Sequence, residues 1–151
     1  PMLLAVLFAS PFIACRARSP LTPEIAYSLL KDAYMQGDGA AFLDLLDSSS
    51  RRQVEELTRL IRTMDDAQAG ALAEKLAISP NELKTITPAS FIALQIALDK
   101  RPGHDILGGM FTSQVLRKRE LPGKCVLQLA GGMELTFVRE GPYWKFEMNG
   151  L

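Results

Sequence analysis

The chain of 151 residues is 48% hydrophobic and 23% charged, which is enough apolar material for one compact core and too much for a disordered chain. Seventeen basic residues balance seventeen acidic ones, so the net charge gives no attraction toward nucleic acid and no nucleic-acid partner is expected. One His and two Cys are too few for a zinc site built from four such ligands, and neither a metal nor a cofactor is predicted.

An apolar run opens the chain. Residues 2–14 form a stretch of 13 residues without a charge, which is shorter than the ~20 residues of a membrane-spanning helix. This length is typical of the apolar part of a secretory signal peptide. Phe12-Ile13-Ala14-Cys15 resembles the lipobox of bacterial lipoprotein signal peptides, in which the Cys becomes the first mature residue and carries the lipid. The resemblance implies a signal peptide over residues 1–14, a lipid on Cys15 and a tether over residues 15–21.

Two other interpretations of the N-terminus stay open. One is plain secretion, in which Cys15 is lost with the signal peptide, and the other is a buried core helix that ends in a small apolar Cys. The basic, turn-prone residues 16–20 favour an exposed tether and therefore the lipoprotein. Acylation of Cys15 leaves Cys125 unpaired. The lipoprotein resemblance implies a location in the bacterial cell envelope. Arg16 rather than Asp follows the Cys, which in lipoprotein sorting is compatible with the outer membrane of a Gram-negative source.

Helix signals follow from residue 22 to residue 100. Thr22 is the predicted N-cap of a first amphipathic helix that ends at Gly37, and Asp38 is the predicted N-cap of a short second helix. A third helix is predicted over residues 51–64, with mixed charges on its solvent face. Its expected buried residues are Val54, Leu57, Leu60, Ile61 and Met64.

Three further helix starts are predicted in the second part of this stretch. Asp65 or Asp66 opens a segment rich in Ala, and Ser79 and Thr87 each precede a Pro in capping patterns. The helix over residues 88–100 is apolar nearly all round, which predicts that it is covered on more than one side.

The alternation of apolar and polar residues from 110 to 148 predicts strands. Because the apolar residues of each strand share one face, that face is expected to pack on the helices. The fold class is therefore α+β, with N-terminal helices packed on a C-terminal four-stranded antiparallel sheet in one domain over residues 22–151. The predicted strands, separated by Gly and Pro turns, are 110–120, 124–130, 133–139 and 143–148.

Two stretches resemble the nuclear transport factor two-like, or cystatin-like cone, domains. Gln36-Gly37-Asp38 after an amphipathic helix, followed by Phe42-Leu43-Asp44-Leu45-Leu46, is similar to the start of such domains, and residues 138–146 are similar to their closing strands. The resemblance covers residues 22–47 and 110–148 and implies a cone-shaped sheet. The helical stretch 51–100 is longer than the family pattern.

Candidates for catalysis are few. Catalytic members of the cone family use an Asp or a His–Asp pair inside the pocket, and the corresponding candidates here are His104, Asp105, Asp32 and Asp44. The first two fall in a predicted loop and the last two at exposed positions of predicted helices, so no catalytic residue is assigned. Cys125 lies in an apolar strand and is predicted to be a buried, inert thiol.

Six aromatic residues of the predicted helices and strands either line an apolar cavity or are ordinary residues of the hydrophobic core. The predicted function is a non-catalytic binding or structural module of the cell envelope, anchored in the membrane by a lipid on Cys15, with a protein or a small apolar molecule as its partner. A small-molecule enzyme of the cone-fold type, with a pocket acid or base, stays as the alternative. The candidate lining residues are Tyr27, Tyr34, Phe42, Phe137, Trp144 and Phe146.

Overall fold

The computed structural model describes residues 19–103 and 106–148. In this part of the chain, helices come first and a sheet follows, which confirms the predicted α+β class. The helices are α1 (Pro23–Gln36), α2 (Gly39–Leu45), α3 (Ser48–Arg62), α4 (Asp66–Leu76), α5 (Pro80–Lys84), α6 (Pro88–Asp99) and α7 (Ile106–Thr112). The strands are β1 (Val115–Leu121), β2 (Lys124–Leu129), β3 (Glu134–Glu140) and β4 (Tyr143–Glu147).

Side-chain caps fix where the helices begin. The Thr22 hydroxyl accepts a hydrogen bond from the backbone N–H of Ile25, and the Asp38 carboxylate caps α2 in the same way. Capping boxes at Ser79 and Thr87 start α5 and α6, as predicted. The third helix begins at Ser48 rather than at residue 51, because Asp47 accepts from the N–H of Ser50 and is the true N-cap.

The segment 110–112, predicted as the start of a strand, is the end of α7. The reason lies outside the segment. The carboxylate of Asp99, at the end of α6, accepts hydrogen bonds from the backbone N–H of Leu107 at 3.0 Å and of Gly108 at 2.9 Å. These are N–H groups that the first turn of a helix leaves without a partner, so the side chain of Asp99 on the preceding helix satisfies two N–H groups at the start of α7.

The four strands form an antiparallel meander in the order β1-β2-β3-β4. Cys125 pairs with Phe137, and Phe137 pairs with Phe146, so these three residues lie in one row on one face. That face is buried, as the alternation predicted, whereas β1 is exposed along nearly all of its length. The other buried residues of the same face are Leu127, Leu129 and Leu135.

Two short pieces of chain lie along the outer edge of β4. Leu46 forms a parallel bridge with Phe146, whose carbonyl accepts from the N–H of Asp47 at 2.9 Å. Near the other end of the strand, the N–H of Trp144 donates to the carbonyl of Pro20 at 2.7 Å. Both contacts satisfy backbone groups that an edge strand otherwise exposes.

The burial predicted for the third helix is confirmed in part, because Leu57 and Met64 are half-buried and Met64 lies beyond the end of α3. Leu60 is 48% exposed, although Val54 and Ile61 are buried as expected. The buried stripe of α3 also includes Ser50 and Thr58, so the face toward the core is narrower and more polar than the apolar pattern suggested.

We expect Phe137→Ala to lower the free energy of unfolding by about 3–5 kcal/mol, because it removes a fully buried ring from the centre of the sheet. Leu116→Ala, at a position that is 60% exposed on β1, is the control and should change it by less than ~0.5 kcal/mol. Urea titration followed by circular dichroism measures both. Similar midpoints for the two variants would contradict the packing described here.

Candidate ligand-binding cavity

A cavity of about 290 Å³ lies between the helices α6 and α7 and the end of the sheet where β3 begins and β4 ends. Exposed Glu134 is part of its wall, so the cavity reaches the surface at this end. Most of the wall is apolar. The lining residues are Phe42, Ile92, Gln95, Ile96, Leu107, Met110, Phe111, Glu134, Leu135, Thr136, Phe146, Glu147 and Met148.

Packed aromatic rings form one wall of the cavity. The ring of Phe111 meets that of Phe42 edge-on at 5.5 Å between centroids, and that of Phe146 edge-on at 6.3 Å. The ring of Tyr34 contacts that of Phe111 at a tilt of 36°, with 5.3 Å between centroids. Such contacts fix each ring through its neighbours. This wall is therefore pre-formed.

The polar residues of the wall differ in what they offer to a ligand. The Glu147 carboxylate accepts from Lys124 Nζ at 2.9 and 3.2 Å, and a carboxylate oxygen of Glu134 lies 3.6 Å from a guanidinium nitrogen of Arg119. Each carboxylate therefore has a cation beside it. Gln95 and Thr136 carry neutral groups, and neither takes part in a side-chain hydrogen bond with another described residue. The wall is thus an apolar surface with one amide and one hydroxyl that can form hydrogen bonds with a ligand.

Of the six aromatic residues proposed from the sequence as cavity lining, two line the cavity and four do not. Phe42 and Phe146 line the cavity, and Phe137 lies beside Phe146 in the core at 5.7 Å between ring centroids. Tyr27 is buried, and its hydroxyl donates to the backbone carbonyls of Met110 and Ser113, 2.8 and 2.7 Å away. Tyr34 is buried behind Phe111, and Trp144 is half-buried near the opposite end of β4.

The residues that α6 and α7 contribute to the cavity wall were not predicted from the sequence. Ile92, Gln95 and Ile96 come from α6, and Leu107 and Met110 come from α7. The apolarity of residues 88–100 around the whole helix was the one available signal, since it indicated a helix with neighbours on several sides.

The burial of the Asp99 carboxylate was also not predicted from the sequence. Only 8% exposed, Asp99 accepts from the Tyr34 hydroxyl at 2.8 Å in addition to the two N–H groups at the start of α7. It does not line the cavity. Its bonds join α1, α6 and α7, and its role is to hold α7 in place.

The proposed catalytic candidates lie elsewhere. Asp32 and Asp44 are exposed on α1 and α2, and Asp44 lies 3.7 Å from Arg51. His104 and Asp105 lie outside the described residues, as does Cys15. Within the described ranges, no group of three or more His, Cys, Asp or Glu is placed to hold a metal ion.

Cys125 is fully buried, with no disulfide. Burial raises the pKa of its thiol, which disfavours the reactive thiolate and fits an inert core residue.

Comparisons with protein-family models, curated proteins and solved structures find no match for this chain. Among the helices of the described part, none has the length and apolarity needed to cross a bilayer.

We expect Asp99→Ala to lower the free energy of unfolding by about 3–5 kcal/mol, because it leaves buried donors without an acceptor at a cost of about 1–3 kcal/mol each. Tyr34→Phe removes one of the same hydrogen bonds and should cost about 1 kcal/mol. Asp32→Ala, at an exposed carboxylate, is the matched control and should stay within ~0.5 kcal/mol of the wild type. Equal stability of the two Asp variants would show that Asp99 does not hold α7.

Proposed function

We propose that this protein is a binding module of the bacterial cell envelope, anchored through a lipid on Cys15, that takes a small, neutral, largely apolar molecule. The observation that carries the ligand part of the proposal is the pre-formed apolar cavity between α6, α7 and the sheet. Its volume of about 290 Å³ is near the lower end of the range of ~300–1,000 Å³ for small-molecule sites.

The chemistry of the wall favours a neutral ligand. An anion would meet Glu134 and Glu147, and a cation would have to displace Arg119 or Lys124 from these carboxylates. An apolar body avoids both costs, since it fills the space between Ile96, Phe111 and their neighbours. One hydroxyl or carbonyl on the ligand would pair with the amide of Gln95.

A helix-lined cavity on the inner face of an antiparallel sheet also supports the proposed relationship to cone domains, in which such a space serves either binding or catalysis. Binding is the function proposed here, because the acidic groups of the wall are engaged with cations. The support for anchoring is in the sequence, where the charge-free run of residues 2–14 ends at Cys15 and a basic tether follows.

The neutral dye phenylnaphthylamine tests the ligand proposal. We expect the wild type to bind it, and Leu107→Trp to weaken binding at least about tenfold, or ~1.4 kcal/mol, by filling the cavity from α7. Leu94→Trp is the control, because Leu94 is a half-buried residue of α6 that does not line the cavity. Fluorescence titration, with excitation outside tryptophan absorption, gives the dissociation constants.

The anionic dye anilinonaphthalene sulfonate serves as a second control and should bind more weakly than the neutral one. Equal binding of phenylnaphthylamine to the wild type and to Leu107→Trp, with both folded by circular dichroism, would remove the cavity as the site.

Detergent-phase partitioning of the protein expressed in a bacterial host tests the anchor. We expect the wild type in the detergent phase and Cys15→Ser in the aqueous phase if acylation of this Cys supplies the membrane affinity, since each buried methylene contributes ~0.8 kcal/mol. If both proteins partition into water, the anchoring proposal is wrong.

A further inference from the structure

A row of backbone contacts joins Pro20, just before α1, to one end of the sheet. Pro20 accepts from the N–H of Trp144, Trp144 pairs with Arg139, and the N–H of Arg139 donates to the carbonyl of Gly123 at 2.9 Å. The β1–β2 turn and the β3–β4 turn therefore lie at the same end of the sheet as the point where the N-terminal tether arrives. We call residues 20–21, 121–124 and 139–143 the tether end.

Large apolar side chains are exposed at this end. Leu21 is 55% exposed, Leu121 46% and Tyr143 39%, and together they are half of the six large hydrophobic residues exposed in the described ranges. Pro122 and Pro142, at the tips of the two turns, are exposed as well. This concentration is more than the single scattered apolar residues that any protein surface carries.

One exposed cation beside these side chains can meet the phosphates of an anionic bilayer. Arg139 is exposed and forms no ion pair with another described residue. The carboxylate of the neighbouring Glu140 accepts from the N–H and hydroxyl of Ser48, so it is directed toward α3 and not toward Arg139. Apolar and aromatic side chains beside a free cation are the composition with which proteins insert into the headgroup region.

The covalent chain sets how far this end can be from the proposed lipid. Five peptide steps separate Cys15 from Pro20, and at ~3.6 Å a step they span at most ~18 Å, whatever their conformation. An acyl chain on Cys15 therefore keeps the tether end within that distance of the bilayer, which raises the local concentration of its apolar side chains at the membrane surface.

We infer that the tether end docks on the lipid bilayer, with Leu121, Tyr143 and Leu21 in the headgroup region and Arg139 beside anionic phosphates. The inference rests on the proposed anchoring through Cys15. It adds an orientation, since a lipid on a flexible tether alone would leave the domain free to rotate.

A fluorescent label at Leu121→Cys, compared with one at Leu116→Cys, tests the orientation. Both leucines are exposed on β1, and the five residue steps from Leu116 to Leu121 place them about 16 Å apart along the strand. Cys125 is fully buried and Cys15 is acylated, so each variant carries one reactive thiol. The lipidated protein is reconstituted in vesicles of phosphatidylcholine and phosphatidylglycerol that contain a lipid with a quencher near its headgroup.

We expect severalfold stronger quenching at residue 121 than at residue 116. Equal quenching, or stronger quenching at residue 116, in protein that sediments with the vesicles overturns the orientation and leaves the anchor intact. Protein that stays in the supernatant overturns the anchor and the docking together.

Trp144 supplies a second measurement that needs no substitution. It is the only tryptophan of the chain, and it lies half-buried beside Tyr143 at the tether end. In the unmodified lipidated protein, its fluorescence should fall when the quencher lipid is included in the vesicles. Unchanged Trp144 fluorescence, together with equal quenching of the two labels, would exclude docking through this end.

Discussion

The bonds of the Asp99 carboxylate are the constraint on which the rest of the structure depends. Asp99 ends α6, accepts from two N–H groups at the start of α7 and accepts from the hydroxyl of Tyr34 on α1, so one buried side chain joins three helices. A buried carboxylate is tolerated only when donors surround it, and here the donors are the N-terminal N–H groups of a helix and a phenol. These bonds fix the first turn of α7 against α6 and α1, and α7 carries the ring of Phe111 that packs between those of Tyr34 and Phe42.

The placement of Phe111 determines that a cavity exists. Its ring fills the centre of the contact between the helices and the sheet, against Phe42 on one side and Phe146 on the other. Beyond it, toward the start of β3, the helices α6 and α7 contribute Ile92, Ile96 and Met110 to the cavity wall. The edge-on contacts of Phe111 with Phe42 and Phe146 form the side of the cavity that faces the core.

Features set by neighbouring residues could be predicted from the sequence, and features set by distant ones could not. The caps at Thr22, Ser79 and Thr87 and the alternation of the last three strands depend on residues a few positions apart, and each was predicted correctly. The helix α7 was not predicted, because Asp99, the side chain that accepts from its first N–H groups, lies on another helix, seven residues before Ile106. The cavity depends on how α6 and α7 meet the sheet, so only Phe42 and Phe146 of the six proposed aromatic residues lie in its wall.

The cavity and the tether end lie at opposite ends of the sheet. Glu134, in the cavity wall, begins β3, and Glu140, at the tether end, closes the same strand six residues later, which corresponds to ~20 Å. If the tether end rests on the bilayer, Glu134 and Glu147 are on the side that faces water, where their charges are best solvated. A ligand would then enter from the aqueous compartment rather than from the membrane. Such a ligand would have to be soluble enough to cross that compartment, and the amide of Gln95 in the otherwise apolar wall suits a molecule that carries one polar group.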